Sequence, residues 1–252
     1  MVTPAGRVAV LSDIHGVMPA LAAVLAEPAV AAADLIVLTG DLAAGPQPVE
    51  TLDRLMALGE RAVWIRGNAD RELAESARGE RTGTDEVSAW AAGELRADQV
   101  DLLAGLPRSR TIAVAGLGEV LFCHATPRDD QEVVVTDSRL DRWRDVFDGV
   151  PAEVTTIVCG HTHMPFIRLA HGRMVINPGS VGMPYGQPGA HWALLGPGAE
   201  LRRTAFDMDA ACALIAAESG FPGARAWADL YVRGRITDAE ALAVMGPRDG
   251  RG

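Results

Sequence analysis

A chain of 252 residues, 48% hydrophobic and 22% charged, has the length and composition of a soluble globular protein with a substantial core. Its net charge of −10 argues against a general nucleic-acid-binding surface, and no apolar run reaches the ~18 residues of a membrane span. All 23 basic residues are arginine, which excludes Schiff-base and P-loop lysine chemistry. The first residues do not read as an export signal. The three cysteines, Cys123, Cys159 and Cys212, form no CxxC pair, so buried, reduced thiols in a cytoplasmic protein are expected.

In chain order, apolar runs rich in Val, Ile and Leu predict strands at 8–11, 35–38 and 62–65. Between them, 18–30 and 48–58 carry helical patterns, each with proline in its first turn. Strand–helix–strand units of this length imply a parallel sheet. Residues 69–106 read as a largely helical insertion with a polar, Gly-bearing break at 78–84, expected to be a mobile loop. Beyond Arg110 the pattern is mostly strands, at 111–114, 120–123, 156–159, 166–169, 174–176, 192–195 and 202–206, with one helix at 138–147. A helical tail runs from about 207 to 246, with N-caps expected at Asp207 and Thr237. No repeat or linker divides the chain, so one domain over residues 1–252 with a two-sheet core is the expectation.

Five segments at the ends of these strands carry Asp13-Ile14-His15, Gly40-Asp41, Gly67-Asn68, His124 and Gly160-His161-Thr162-His163. In an extended chain, residues i and i+2 project to one side, so Asp13 and His15 could reach one metal together. Parallel strands would open the loops on one edge, where open α/β sheets place their sites. Taken singly, Asp41 and Asn68 read as turn formers or caps and each histidine as a satisfied polar residue. The ordered combination has no such explanation. A carboxylate, imidazole and amide set suits Mn²⁺, Fe, Zn²⁺, Ni²⁺ or Co²⁺, and seven ligands exceed the need of one ion. Two ions sharing a carboxylate activate water and neutralise the oxygens of a phosphoryl group.

These segments, over residues 7–182, resemble the DxH…GD…GN…H…GHxH pattern of the calcineurin-like metallophosphoesterase superfamily, in particular its YfcE-type, phosphodiesterase-like branch. The resemblance implies an α/β fold, a four-layer α/β/β/α sandwich with two packed mixed sheets. It assigns Asp13, His15 and His163 to one metal, Asn68, His124 and His161 to the other, and Asp41 to both. Mn²⁺ is the expected pair. The segment Asn177-Pro178-Gly179-Ser180-Val181-Gly182 also resembles a family segment, and reads as a tight turn shaping the wall of the site.

One position departs from the pattern. Many members of that family read Gly-Asn-His-Asp/Glu, and the histidine assists the phosphoryl group or the leaving oxygen. Here the segment is Gly67-Asn68-Ala69-Asp70, and Ala69 supplies neither function. The gap favours a phosphodiester, such as a nucleotide or cyclic nucleotide, over a monoester. A phosphomonoesterase or protein phosphatase and a non-enzymatic binding scaffold on the same fold are the alternatives. Asp70 is expected to orient a ligand or to cap the following helix. Arg66 and Arg128 are the nearest arginines in sequence for phosphate contact. The expected partner is a small phosphoester, with no membrane and no extended nucleic acid. Specificity is expected from the 69–106 insertion and the 183–190 loop.

Overall fold

The computed structural model describes residues 3–82 and 85–250. Ten strands form two five-stranded mixed sheets. The first sheet contains β1 (Val8–Leu11), β2 (Leu35–Leu38), β3 (Ala62–Trp64), β9 (Ala190–Leu195) and β10 (Ala199–Thr204), in the order β10-β9-β1-β2-β3. The second contains β4 (Ser109–Val114), β5 (Gly118–Cys123), β6 (Thr156–Val158), β7 (Phe166–Ala170) and β8 (Arg173–Asn177), in the order β4-β5-β6-β8-β7. In each sheet a parallel block, β1-β2-β3 or β5-β6-β8, is completed by antiparallel neighbours.

Side-chain alternation sorts the core into layers. Val8, Val10 and Val37 of the first sheet meet Val120, Phe122, Val158 and Ile176 of the second in one buried cluster. The alternate residues Ala9, Leu11, Ile36 and Leu38 face helices on the outside of the first sheet. Ile157, Cys159 and Val175 pack under Trp143 and Val146 of the helix α7 (Leu140–Val146) and under Phe147, which follows it, on the outside of the second. The result is the expected α/β/β/α sandwich, and both five-stranded sheets are mixed.

Local differences from the sequence reading have local causes. The 18–30 pattern is two helices, α1 (Met18–Leu25) and α2 (Pro28–Ala31), because Pro28 cannot continue the first and opens the second. The 48–58 pattern is α3 (Pro48–Met56). The insertion is three helices, α4 (Asn68–Ala77), α5 (Glu86–Glu94) and α6 (Ala97–Gly105). Of the expected 78–84 break, Gly79 ends α4 with φ 72°, while Gly83 and Thr84 lie outside the described residues. The tail forms α8 (Met208–Glu218), α9 (Ala224–Tyr231) and α10 (Asp238–Met245). Asp207 and Thr237 cap α8 and α10 as expected, accepting from the N–H groups of Ala210 and Glu240. All three cysteines are free and buried. Among the described residues no helix is long and apolar enough to cross a membrane.

Candidate metal centre

The parallel strands of both sheets deliver the candidate residues to one edge. Asp13 and His15 follow β1, Asp41 follows β2, Asn68 follows β3, His124 follows β5, and His161 and His163 follow β6. The loops are stitched together by their backbones. Asp13, His15 and Gly16 donate to the carbonyls of Gly40, Asp41 and Leu42, each at 3.0 Å. The segment after β8 latches on from the second sheet: Ser180 Oγ and the Gly182 N–H donate to the Asp13 carbonyl at 2.7 and 3.1 Å. Asn177 Nδ2 donates to the Gly160 carbonyl and to Thr162 Oγ1. This segment is therefore the structural wall that the sequence suggested.

Asp13 and His15 do not share an extended strand. Asp13, His15, Asp41, His161 and His163 have φ values of 54°, 49°, 55°, 66° and 57°, all in the left-handed region. Non-glycine residues rarely adopt it, at a cost of roughly 1–2 kcal/mol each. Among the described residues the sole other non-glycine case is His171. The side chains converge through tight turns rather than through strand pleat, so the i, i+2 geometry expected of an extended chain does not hold here.

The glycines of the motifs are forced by close approach. A Cβ on Gly40, at φ 99°, would lie 2.5 Å from the Gly67 nitrogen, so the Gly40-Asp41 and Gly67-Asn68 loops touch backbone to backbone. A Cβ on Gly160 would lie 2.0 Å from Ser12 Oγ and 2.7 Å from Asp13 Oδ2.

Two groups of donor atoms result, Asp13–His15–His163 and Asp41–His124–His161, each able to hold a metal ion. In the first, His15 Nδ1 and His163 Nδ1 face the carbonyls of Ala44 (3.0 Å) and Met183 (2.7 Å). A carbonyl accepts only, so both Nδ1 atoms carry the proton and both Nε2 atoms turn inward. They lie 3.2 Å apart, and His163 Nε2 is 3.2 Å from Asp13 Oδ1. In the second, His124 Nδ1 donates to the Thr39 carbonyl at 2.8 Å, which aims its Nε2 the same way. The carboxamide oxygen of Asn68 sits against His124 Nε2 (3.2 Å) and His161 Nδ1 (3.0 Å), positions that hydrogen bonding alone would give to its NH₂ group. Asp41 Oδ2 lies 3.8 Å from His15 Nε2 and 3.3 Å from His124 Nε2, between the groups, while the Ala69 N–H holds Oδ1 at 2.8 Å.

The charges are buried and lie close together. Burial alone would raise the carboxyl of Asp41, but His124 and His15 hold it far below the usual range. Burial likewise opposes the charged form of His124, yet the carboxylate of Asp41 pushes the imidazole up to about 10. Burial, reinforced by His124, pushes His161 down to about 4. A bound cation would displace the protons held here. Inward-facing lone pairs and the unpartnered His161 Nε2 are the features that a divalent ion satisfies.

Asp70 does both things the sequence allowed. It is fully buried; its Oδ2 accepts from the N–H groups of Asp41 (2.8 Å) and Gly67 (2.9 Å), and its Oδ1 from Leu42 (2.8 Å). One carboxylate thus caps α4 and pins the Asp41 loop. Burial and the neighbouring charge of Asp41 push it up to about 6. Neither arginine joins the cluster through a direct contact. Arg66 lies 3.6 Å from the carboxylate of Asp130. Arg128 forks onto Glu132 and donates to the Asp145 carbonyl, because Glu132, four residues along, meets its guanidinium at 2.6 Å.

Some features of the site carried no sequence signal. Tyr185 stacks on His163, with ring centroids 4.8 Å apart. A cavity of about 210 Å³ adjoins the centre, lined by His15, Asp41 and Asn68 on one part and by Trp227 and Tyr231 of α9 on another. A wall supplied from the C-terminal tail was not expected, since nothing in the spacing of these aromatics indicates what they will face.

The profile described as Calcineurin-like phosphoesterase superfamily domain matches residues 7–197. A comparison with curated proteins returns no match. Among solved structures the chain is similar to a metallophosphoesterase from Sphaerobacter thermophilus, at 24% identity and TM-score 0.68, covering 89% of this chain and 98% of that one. It is also similar to a hypothetical protein from Pyrococcus horikoshii OT3, at 20% identity and TM-score 0.76, covering 92% and 99%. The E. coli phosphoesterase YfcE superposes more loosely, at 21% identity and TM-score 0.47, over 75% and 87%. With the profile spanning every candidate ligand from Asp13 to His163, and with two mixed sheets converging on them, the chain belongs to the calcineurin-like phosphoesterase superfamily.

Proposed function

We propose that this chain is a dinuclear metal-dependent phosphodiesterase, formed by the whole chain as one domain. Asp13, His15 and His163 would hold one divalent ion, and Asn68, His124 and His161 the other, with Asp41 joining them. Mn²⁺ is the favoured metal, and the donor set also suits Fe, Zn²⁺, Ni²⁺ or Co²⁺. When bound, such a pair supplies Lewis-acid stabilisation of the phosphoryl oxygens and an activated water for in-line attack. The carrying observation is Asp41, whose Oδ2 lies within 3.8 Å of a histidine from each group.

The protein's own residues orient this arrangement. Backbone carbonyls of Ala44, Met183 and Thr39 fix the tautomers of His15, His163 and His124. Asp70 fixes the Asp41 loop as a positioning residue. At Ala69 the N–H is spent on Asp41 Oδ1, and the methyl group offers no proton to a leaving oxygen. A monoester with a poor leaving group loses most from this, and a diester with a better one loses less. The substrate class is therefore a small phosphodiester, nucleotide esters included. The three free cysteines favour a cytoplasmic site of action.

The test combines metal analysis with an activity panel. Protein purified without chelator and reconstituted with Mn²⁺ should hold two ions per chain and turn over bis(p-nitrophenyl) phosphate faster than p-nitrophenyl phosphate. No metal-dependent turnover of either ester overturns the reading.

A further inference from the structure

The cavity beside the centre is distinctive in its charge. Besides Trp227 and Tyr231 it is lined by Glu72 and Asp85, and among the described residues no arginine lines it. Glu72 is compensated: Arg81 and Arg71 lie 3.3 and 3.8 Å away, and Gln131 donates to it. Asp85 is not. Its carboxylate accepts from the N–H and hydroxyl of Ser88, at 3.1 and 2.8 Å, and among the described residues no cationic side chain pairs with it. Trp227 and Tyr231 stand with ring centroids 4.9 Å apart, tilted by 49°. Burial, and behind it the charge of Asp85, raises the phenol of Tyr231.

We propose that this cavity receives the retained arm of the phosphodiester, and that the arm is a small organic cation, an alkylammonium alcohol in ester linkage. This rests on the phosphodiesterase reading above. Two aromatic side chains lining the cavity beside a carboxylate with no cationic partner make a site for an ammonium group. An anionic arm would meet Asp85 with no arginine to offset it. At about 210 Å³ the cavity is smaller than the ~300 Å³ at which pockets engulf larger ligands, so it suits a small arm better than a nucleoside. In the reaction a water oxygen forms a bond to phosphorus and the bond from phosphorus to the leaving oxygen breaks. One water proton balances the leaving alcoholate, and the cationic arm stays on the monoester product.

The test uses the full-length, Mn²⁺-loaded protein and four p-nitrophenyl diesters whose second arm is choline, ethanolamine, ethyl or thymidine 5′-yl. Release of p-nitrophenolate reports all four. The choline or ethanolamine ester should exceed the ethyl ester in kcat/KM by about tenfold, the size of one desolvated cation–aromatic contact. The comparison between those two separates quaternary from primary ammonium as the source. Asp85→Asn keeps an acceptor at the helix cap and removes the charge; it should raise KM for the cationic ester and bring the ratio towards one. Trp227→Leu should do the same, but Trp227 also packs in the core, so Asp85→Asn is decisive. A wild-type ratio of one or less, a preference for the thymidine ester, or an unchanged ratio in Asp85→Asn overturns the assignment of the arm while leaving diester hydrolysis in place. Absence of metal-dependent turnover of all four overturns the reading beneath it.

Discussion

His15 Nε2 and His163 Nε2 lie 3.2 Å apart, each with its Nδ1 committed to a backbone carbonyl. Two imidazole lone pairs held face to face in a buried site repel unless a proton or a cation lies between them. Divalent ions that bind only the folded state add stability in proportion to the logarithm of their concentration over Kd. Chelation followed by dialysis should therefore lower Tm by about 5–15 °C relative to protein with Mn²⁺ at ~100–1,000 times Kd. Differential scanning calorimetry with and without Mn²⁺ checks this, and identical Tm values would contradict it. In His163→Ala the increment should shrink.

Asp41→Asn removes the charge shared by the two donor groups and retains the side chain's size. Metal content should fall below two ions per chain, and kcat/KM for bis(p-nitrophenyl) phosphate should drop by at least about 10³-fold, since positioning and charge neutralisation fail together. Elemental analysis beside steady-state kinetics distinguishes a lost ion from an inactive but fully loaded centre.

Asp70→Ala leaves three backbone N–H groups, those of Asp41, Leu42 and Gly67, without their acceptor. Unsatisfied buried donors cost about 1–3 kcal/mol each, less where water enters. Chemical denaturation should show a loss of several kcal/mol by this arithmetic. Metal affinity should fall by about 10–100-fold through misplacement of Asp41. Asp70→Asn keeps an oxygen acceptor and should recover part of both losses.

Ala69→His should shift selectivity. An imidazole at this position would lie beside Asn68 and the cavity, where a leaving oxygen needs a proton. The ratio of monoester to diester turnover should rise by about 10²-fold, at the lower end of general acid catalysis. An unchanged ratio would disconnect the departure at Ala69 from substrate preference.

Acid sensitivity should involve Asp130. Burial opposes its ionisation, but Arg71, at 3.0 Å, and Arg66 hold the carboxyl below its ordinary value. A depressed folded-state value contributes stability that is fully present above the unfolded value of ~4 and is lost as pH falls through the folded one. Asp130→Asn should therefore be less stable than the wild type at pH 7, with the difference narrowing below pH ~4. Urea midpoints at both pH values check the sign.

The sequence shows which residues gather but not how the backbone brings them there. The apolar runs ending in Asp13, Asp41, Asn68, His124 and His161 were legible because burial on both faces leaves a compositional mark and the polar residues interrupt it sharply. Pro28, which divides α1 from α2, is masked in the sequence by the continuous apolar pattern of 18–30. The pairing of Arg128 with Glu132 forms outside any helix, so their spacing of four gave no sign of it, and it competes with any phosphate contact. The rest depends on tertiary contact. The carbonyls that orient three histidines have no side-chain signature. The triple acceptance by Asp70 joins loops 28 residues apart, and Trp227 reaches the cavity from a helix beyond the matched family segment.

The left-handed turns at Asp13, His15, Asp41, His161 and His163 have a consequence for anyone who reshapes this protein. Glycine adopts such turns freely, so exchanging any of these five for glycine relaxes the chain locally while deleting a candidate metal ligand. A search for heat-resistant variants, run on metal-free protein with folding as its sole criterion, would drift towards sequences that are sturdier and inert. With the proposed metal centre in place, the tension in these loops sets stability against catalysis at the same five positions, and a useful variant must be selected for both.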